Sequence, residues 1–207
     1  MAHDNDRALI AECRRDPEAF GQLYDRHFDA IFRYILRRAA NVAVAEDLTS
    51  QTFHKAVRKL WQFRWQGVDI AAWLYRIAGN EVNSHFRREY RTARFLARQG
   101  PSAERVDAVA PDTELQAAEA KVKMNTLYLR LNGAIRRLRP LDQDLIVFRY
   151  FEQKSFSEIS RIVRRREGAL RMRAVRALER LEGLLAEEGI THEEYREVAE
   201  YGVGAGG

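Results

Sequence analysis

Wherever apolar residues recur in this chain they recur three and four positions apart, and nowhere do they alternate cleanly over four or more β-branched-rich residues. A half-buried strand needs a period of two, so the pattern confines the chain to helices. Phe20, Leu23, Tyr24, Phe28, Ile31, Phe32 and Ile35 form one such stripe, opened by Asp16-Pro17-Glu18, an N-cap followed by proline at the first helical position. Ala45 to Leu60 and Ala71 to Phe86 repeat the spacing, and Trp73, Leu74 and Ile77 are expected in the core. After a break, Leu127–Leu138, Gln143–Phe151, Phe156–Val163 and Leu170–Leu185 give further helices. The expected fold class is all-α.

The break itself divides the chain. "GPSAERVDAVAPDTELQ" begins at Gly100, carries both glycine and proline breakers and has little periodicity. A connection of about 15 residues is longer than most inside a compact domain. Two small helical domains are therefore expected at 1–97 and 123–185, with a flexible linker at 98–122 and an extension at 186–207. Charge follows the same division: net +4 over residues 1–95, +7 over 126–183 and −5 from 184 onward, within a total of +5. Two basic blocks point to two polyanion-facing modules. In the acidic extension, Thr191-His192-Glu193-Glu194 has the form of a capping box. It predicts a short helix to about Tyr201 and a disordered glycine-rich end. The segment reads as a solvated appendix, with a contact to the basic second domain or to a regulator as the alternative that the −5 beside +7 suggests.

Catalysis finds no support in the residues. His3, His27, His54, His85 and His192 are scattered, with no HExxH pair and no acidic cluster at ligand spacing. Gly67, Gly79 and Gly100 stand alone, so there is no phosphate-binding glycine loop, and no Gly-x-Ser-x-Gly elbow occurs. The expectation is a protein that is not an enzyme and needs no cofactor. Cys13 is the single cysteine, which excludes an internal disulfide and fits a reducing cytoplasm. No run approaches the roughly 18 apolar residues of a membrane span, and the mixed-charge start is unlike a secretory signal.

Residues 59–91, "KLWQFRWQGVDIAAWLYRIAGNEVNSHFRREYR", interleave Trp61, Phe63, Trp65, Trp73 and Tyr75 with Lys59, Arg64, Arg76, Arg87, Arg88 and Arg91. Unstacked bases need flat apolar platforms and their backbone needs cations, and this composition supplies both. Trp65 lies beside Gln66-Gly67 in a non-periodic break and is expected to be exposed.

"AEDLTSQTF" (45–53), Phe63, "AWLYRIAGN" (72–80) and "HFRR" (85–88) resemble the first conserved domain of bacterial sigma factors of the extracytoplasmic-function group. "LRPLDQDLIVFRYFEQKSFSEISRI" (138–162) with "EGALRMRAVRALERL" (167–181) resembles that group's second domain. The resemblance implies that Glu46, Asp47, Leu48, Gln51 and Thr52 meet core RNA polymerase. It implies that Arg64, Trp65, Gln66, Arg76, Asn80, Asn83, Arg87 and Arg88 hold a melted promoter strand. It implies a second, helix-turn-helix domain that reads promoter DNA as duplex, and a probable anti-sigma partner for a factor that is otherwise monomeric. A stand-alone helix-turn-helix regulator is the alternative, although it leaves the AEDL segment and the Trp65 aromatics without a task. The sequence departs from the group at Ser50-Gln51, Ile70 and Ser84.

The largest departure is "IVRRREGALRMRAV" (162–175). Ser155 to Glu158 forms a capping box that starts a helix through Val163. The group's turn glycine, apolar turn residue and N-cap serine are replaced by Arg164, Arg165 and Arg166. Val163 to Leu170 is seven residues, so local periodicity alone predicts one unbroken helix. The resemblance predicts a turn at 164–166 and a recognition helix from about Glu167 to Leu184. In it Leu170, Ala174, Leu178 and Leu181 face the core. Arg171 is expected on base edges, with Arg173, Arg176 and the turn arginines mostly on phosphates.

Overall fold

The computed structural model describes residues 2–64, 69–96 and 115–190. Those residues form helices joined by short turns, with no strand among them. Trp65 and Gln66, most of the expected linker and the extension beyond 190 lie outside the described residues.

The first bundle holds α1 (Ala2–Cys13), α2 (Phe20–Ala39), α3 (Val42–Lys59) and α4 (Ile70–Leu96). Three of the four starts have a local cause. The Asp16 carboxylate accepts the Glu18 N–H at 2.9 Å in the turn before α2, and Asn41 caps α3 by accepting the Val44 N–H at 3.0 Å. The Asp69 carboxylate accepts the Ala72 N–H at 2.6 Å at the head of α4. Leu23, Ile31, Ile35, Leu48, Leu74, Ala78 and Val82 make the core, as their spacing requires. Helix α1 was not expected. Leu9, Ile10 and Cys13 close one end of the core, while the polar run Asp4-Asn5-Asp6 hides the stripe from a hydropathy reading.

The second bundle holds α5 (Leu115–Arg137), α6 (Pro140–Ile146), a wide π-helical turn (Val147–Phe151), α7 (Phe156–Val163) and α8 (Glu167–Glu187). Helix α5 begins inside the segment read as linker, so that connection is shorter than 98–122. The core of this bundle gathers Leu131, Ala134, Ile135, Ile146, Phe151, Ala177, Leu181 and Leu185. Leu178 packs against it only partly buried, and Ala177 takes the deeper position.

The two bundles touch along a seam that joins α2 and α4 to α6, α7 and the π-helical turn. At its centre Arg38 is 1% exposed and fully engaged. Its Nε donates to Gln143 Oε1 at 3.0 Å, Nη1 to the Tyr34 hydroxyl at 3.1 Å and Nη2 to Asn83 Oδ1 at 2.9 Å. Nη1 also pairs with the Asp144 carboxylate, which accepts the Tyr34 O–H at 2.7 Å. Burial raises the Asp144 carboxyl above its ordinary range while Arg38 pulls it back down. Phe148 lies flat on Tyr34, centroids 4.8 Å apart, and edge-on to Tyr75. Gly79 permits this packing, because a Cβ there would come within 3.1 Å of the Tyr34 hydroxyl. A buried ion pair adds little net stability, but loss of one partner is costly, so this network fixes the register of the seam.

Candidate nucleic-acid interface

A turn does separate α7 from α8. Arg164 takes the left-handed conformation at φ 54°, ψ 50°, where the related pattern has glycine. That conformation costs a side-chain-bearing residue about 1–2 kcal/mol. Arg166 occupies the N-cap in extended conformation without a side-chain hydrogen bond. Tertiary packing decides the outcome. Ile159, Ile162 and Leu170 are all nearly fully buried, and each such burial stabilises by about 1.5–3 kcal/mol. The Ser160 hydroxyl donates to the Arg165 carbonyl at 2.6 Å and ties the turn back to α7. The Ser155–Glu158 capping box forms as expected, and the bond from Ser155 lowers the Glu158 pKa.

On α8 the arginines divide into held and free. Arg171 pairs with Glu167 and lies 5.0 Å above the Phe156 ring. Arg173 Nε meets Asp142 Oδ1 at 2.6 Å, and Arg180 reaches the other oxygen at 3.4 Å. Asp142 is only 3% exposed, and the Arg173 and Arg180 cations are its counter-charges. Arg164, Arg165, Arg166 and Arg176 are exposed. Met172 and Val175, not expected as contacts, are 60% and 52% exposed on this helix. The available signal was that both fall out of phase with the buried stripe Leu170, Ala174, Ala177 and Leu181.

In the first bundle, Arg64, Asn80, Arg87 and Arg88 are exposed. Arg87 Nε donates to the Asn83 carbonyl at 3.2 Å, which keeps its head along α4. Arg87 and Arg88, with Tyr90, Arg91 and Arg136, line an open cleft of about 890 Å³ between the bundles. Asn83 lines the same cleft, its amide oxygen accepting from Arg38 of the same bundle. Arg76 is partly buried with Nη1 unpartnered, and burial, then the facing Arg164, lower its pKa. Asp69 is paired across the seam with Arg161 at 3.6 Å.

On α3 the five expected polymerase contacts split. Glu46 and Asp47 are exposed, and Gln51 donates to the Asp47 carboxylate at 2.7 Å. Leu48 and Thr52 are both fully buried, and the Thr52 hydroxyl donates to the Leu48 carbonyl. Those two side chains face the core, which leaves Glu46, Asp47 and Gln51 on the outer face of the helix. Trp61, just past the end of α3, is 72% exposed.

Residues 23–92 match the family profile described as Sigma-70 region 2, and residues 128–181 match Sigma-70, region 4. The chain is 37% identical over 188 residues to the ECF RNA polymerase sigma factor BldN of Streptomyces coelicolor, covering 87% of this chain and 68% of that one. It is 29% identical to the RNA polymerase sigma factor CarQ of Myxococcus xanthus, over 82% of this chain and 91% of the relative. Among solved structures, CnrH in complex with the cytosolic domain of CnrY superposes with a TM-score of 0.60 at 21% identity, over 88% and 97% of the two chains. The sigma factor RpoE bound to the anti-sigma factor NepR from Bartonella quintana gives 0.57 at 24%, over 81% and 96%. Those two likenesses speak to the fold. No helix among the described residues is long and apolar enough to cross a membrane.

Proposed function

The chain belongs to the extracytoplasmic-function group of RNA polymerase sigma factors, and from that premise we propose how its surfaces divide the work of directing polymerase to promoters. The exposed α3 face of Glu46, Asp47 and Gln51 docks on core polymerase. Arg64 through Gln66, with Arg76, Asn80, Asn83, Arg87 and Arg88, receives the melted promoter strand. Helix α8 and the turn before it lie in the major groove of a duplex element. The domains that do this are 1–97 and a second that ends near 185. The factor itself performs no covalent chemistry and acts in the cytoplasm, where polymerase and genome are.

One observation carries the mechanism: Arg76 is partly buried beside Arg164 of the second bundle while α8 faces outward. Strand binding at Arg76 requires the bundles to part, whereas duplex reading does not. Opening on polymerase would expose the strand surface when a melted strand is at hand to fill it. Flipped bases then offset an unstacking cost of a few kcal/mol per base. The relative RpoE is bound to an anti-sigma factor, and a partner of that kind, holding the bundles together, would keep this chain inactive.

Reconstitution with core polymerase on a promoter library tests the assignment. Promoter-specific transcripts that Asp47→Arg abolishes and Leu48→Met preserves are expected. Duplex binding with no polymerase association would overturn it.

A further inference from the structure

Helix α8 buries Leu170, Ala174, Ala177 and Leu181 along one line. At 100° per residue the opposite line runs Gly168, Met172, Val175 and Glu179. Its centre is therefore apolar. Met172 and Val175 lie one turn apart, each more than half exposed, on a helix whose other face is core. No guanidinium sits on this line: Arg171, exposed in a surface pair with Glu167 and over Phe156, lies to one side, and Arg173 and Arg180 reach Asp142. Arg176 and the turn arginines Arg164, Arg165 and Arg166 flank the ridge rather than crown it. Gly168 adds no side chain, and open space surrounds its Cβ direction, so the first turn can approach another surface closely. Glu179, next on the line, is an anion that phosphates would repel, which ends the ridge at its third turn.

An apolar ridge flanked by cations fits a polyanion whose floor offers something apolar. In the major groove that feature is the thymine C5-methyl group. Met172 and Val175 are about 4.5 Å apart along the helix axis, close to the 3.4 Å spacing of base pairs, so they address neighbouring pairs. We propose that α8 reads two adjacent A·T pairs in the duplex element through thymine methyls packed on Met172 and Val175, with Arg165, Arg166 and Arg176 on the flanking phosphates. This rests on the reading of α8 as the duplex-binding helix and moves sequence discrimination from Arg171 to two apolar side chains. The ridge is exposed with the bundles closed, so this discrimination does not wait for opening.

Holoenzyme is used to select duplexes from a randomised library, and each thymine in the selected element is then replaced by uracil. That change removes one methyl and leaves every hydrogen-bonding edge intact. At two adjacent positions uracil is expected to weaken binding about fourfold each, the weight of one buried carbon. Met172→Ala should erase the effect at one position and Val175→Ala at its neighbour, with melting temperature unchanged because both side chains are exposed. Uracil equal to thymine at every position, or the same element selected by Met172→Ala, overturns the proposal. Arg165→Ala and Arg176→Ala separate the two levels. If they weaken all duplexes while uracil has no effect, methyl reading alone fails. If they change nothing either, α8 is not the duplex-binding helix, and its apolar ridge serves a protein partner.

Discussion

The two basic blocks of this chain look alike in composition but stand differently in the folded molecule. Around α8 the turn arginines and the Met172–Val175 ridge face outward. Along α4 the surface is divided. Asn80, Arg87 and Arg88 are exposed, whereas Arg76 is partly buried beside Arg164 of the other bundle and Asn83 is held by Arg38. The difference teaches that local charge does not report availability. Arg173 and Arg38 are as basic as Arg176 and Arg88, yet each is bound to an acidic side chain contributed by a distant segment.

Removing the seam's carboxylate should break this comparison most sharply. Asp144→Ala leaves the buried Arg38 guanidinium without its counter-charge, at a cost of about 3–5 kcal/mol to the docked arrangement. The radius of gyration from small-angle scattering should rise while helix content by circular dichroism stays constant. An unchanged radius would show that the apolar contacts of Phe148 hold the seam alone.

A smaller effect separates held from free arginines on α8. Arg173→Ala strips Asp142 of its closer partner and should lower stability by about 1–3 kcal/mol in thermal unfolding. Arg176→Ala should leave the unfolding curve in place and reduce the salt dependence of duplex binding by about one ion. If the two variants behave alike, the division into structural and DNA-facing cations is wrong.

The smallest expected effect is in pH. Burial lowers the His27 pKa in the first bundle, against an opposing pull from Asp6 and Asp69 and a reinforcing push from Arg26. Its folded form favours neutral imidazole, so the stability it contributes is present above the unfolded value of about 6.5 and is lost as pH falls below it. No histidine occurs between residues 115 and 190. Urea unfolding at pH 7 and pH 5.5 should therefore show a loss in the first bundle that His27→Gln removes. An equal loss in the second would contradict the assignment to His27.

Much of this was legible in the sequence because helical period and capping chemistry are local. The stripes of α2 and α3, the Ser155–Glu158 box and, apart from Ala177 in place of Leu178, the core set of α8 followed from spacing. Helix α4 ran on to Leu96 beyond the last apolar stripe. There Arg87 and Arg91 donate to the carbonyls of Asn83 and Arg87, one turn back along a face that needs no core. The turn at Arg164 was legible only through family resemblance, since seven-residue spacing argued for one helix and the deciding contacts come from outside the segment. Burial of Leu48 and Thr52 was missed for a related reason. A motif marks a helix as functional without telling which of its faces is the working one. The seam was illegible altogether, because Arg38 and Asp144 are 106 residues apart and nothing local pairs them.

The most direct test compares the two promoter surfaces in the free protein. Affinities for the duplex element and for the melted-strand oligonucleotide, both taken from promoters the holoenzyme transcribes, are measured for the wild type and for Asp144→Ala. The account predicts equal duplex affinity in the two proteins and strand affinity raised by roughly tenfold or more in the variant, since about 1.4 kcal/mol released from the seam is one decade. Strand affinity that is the same in both would contradict it.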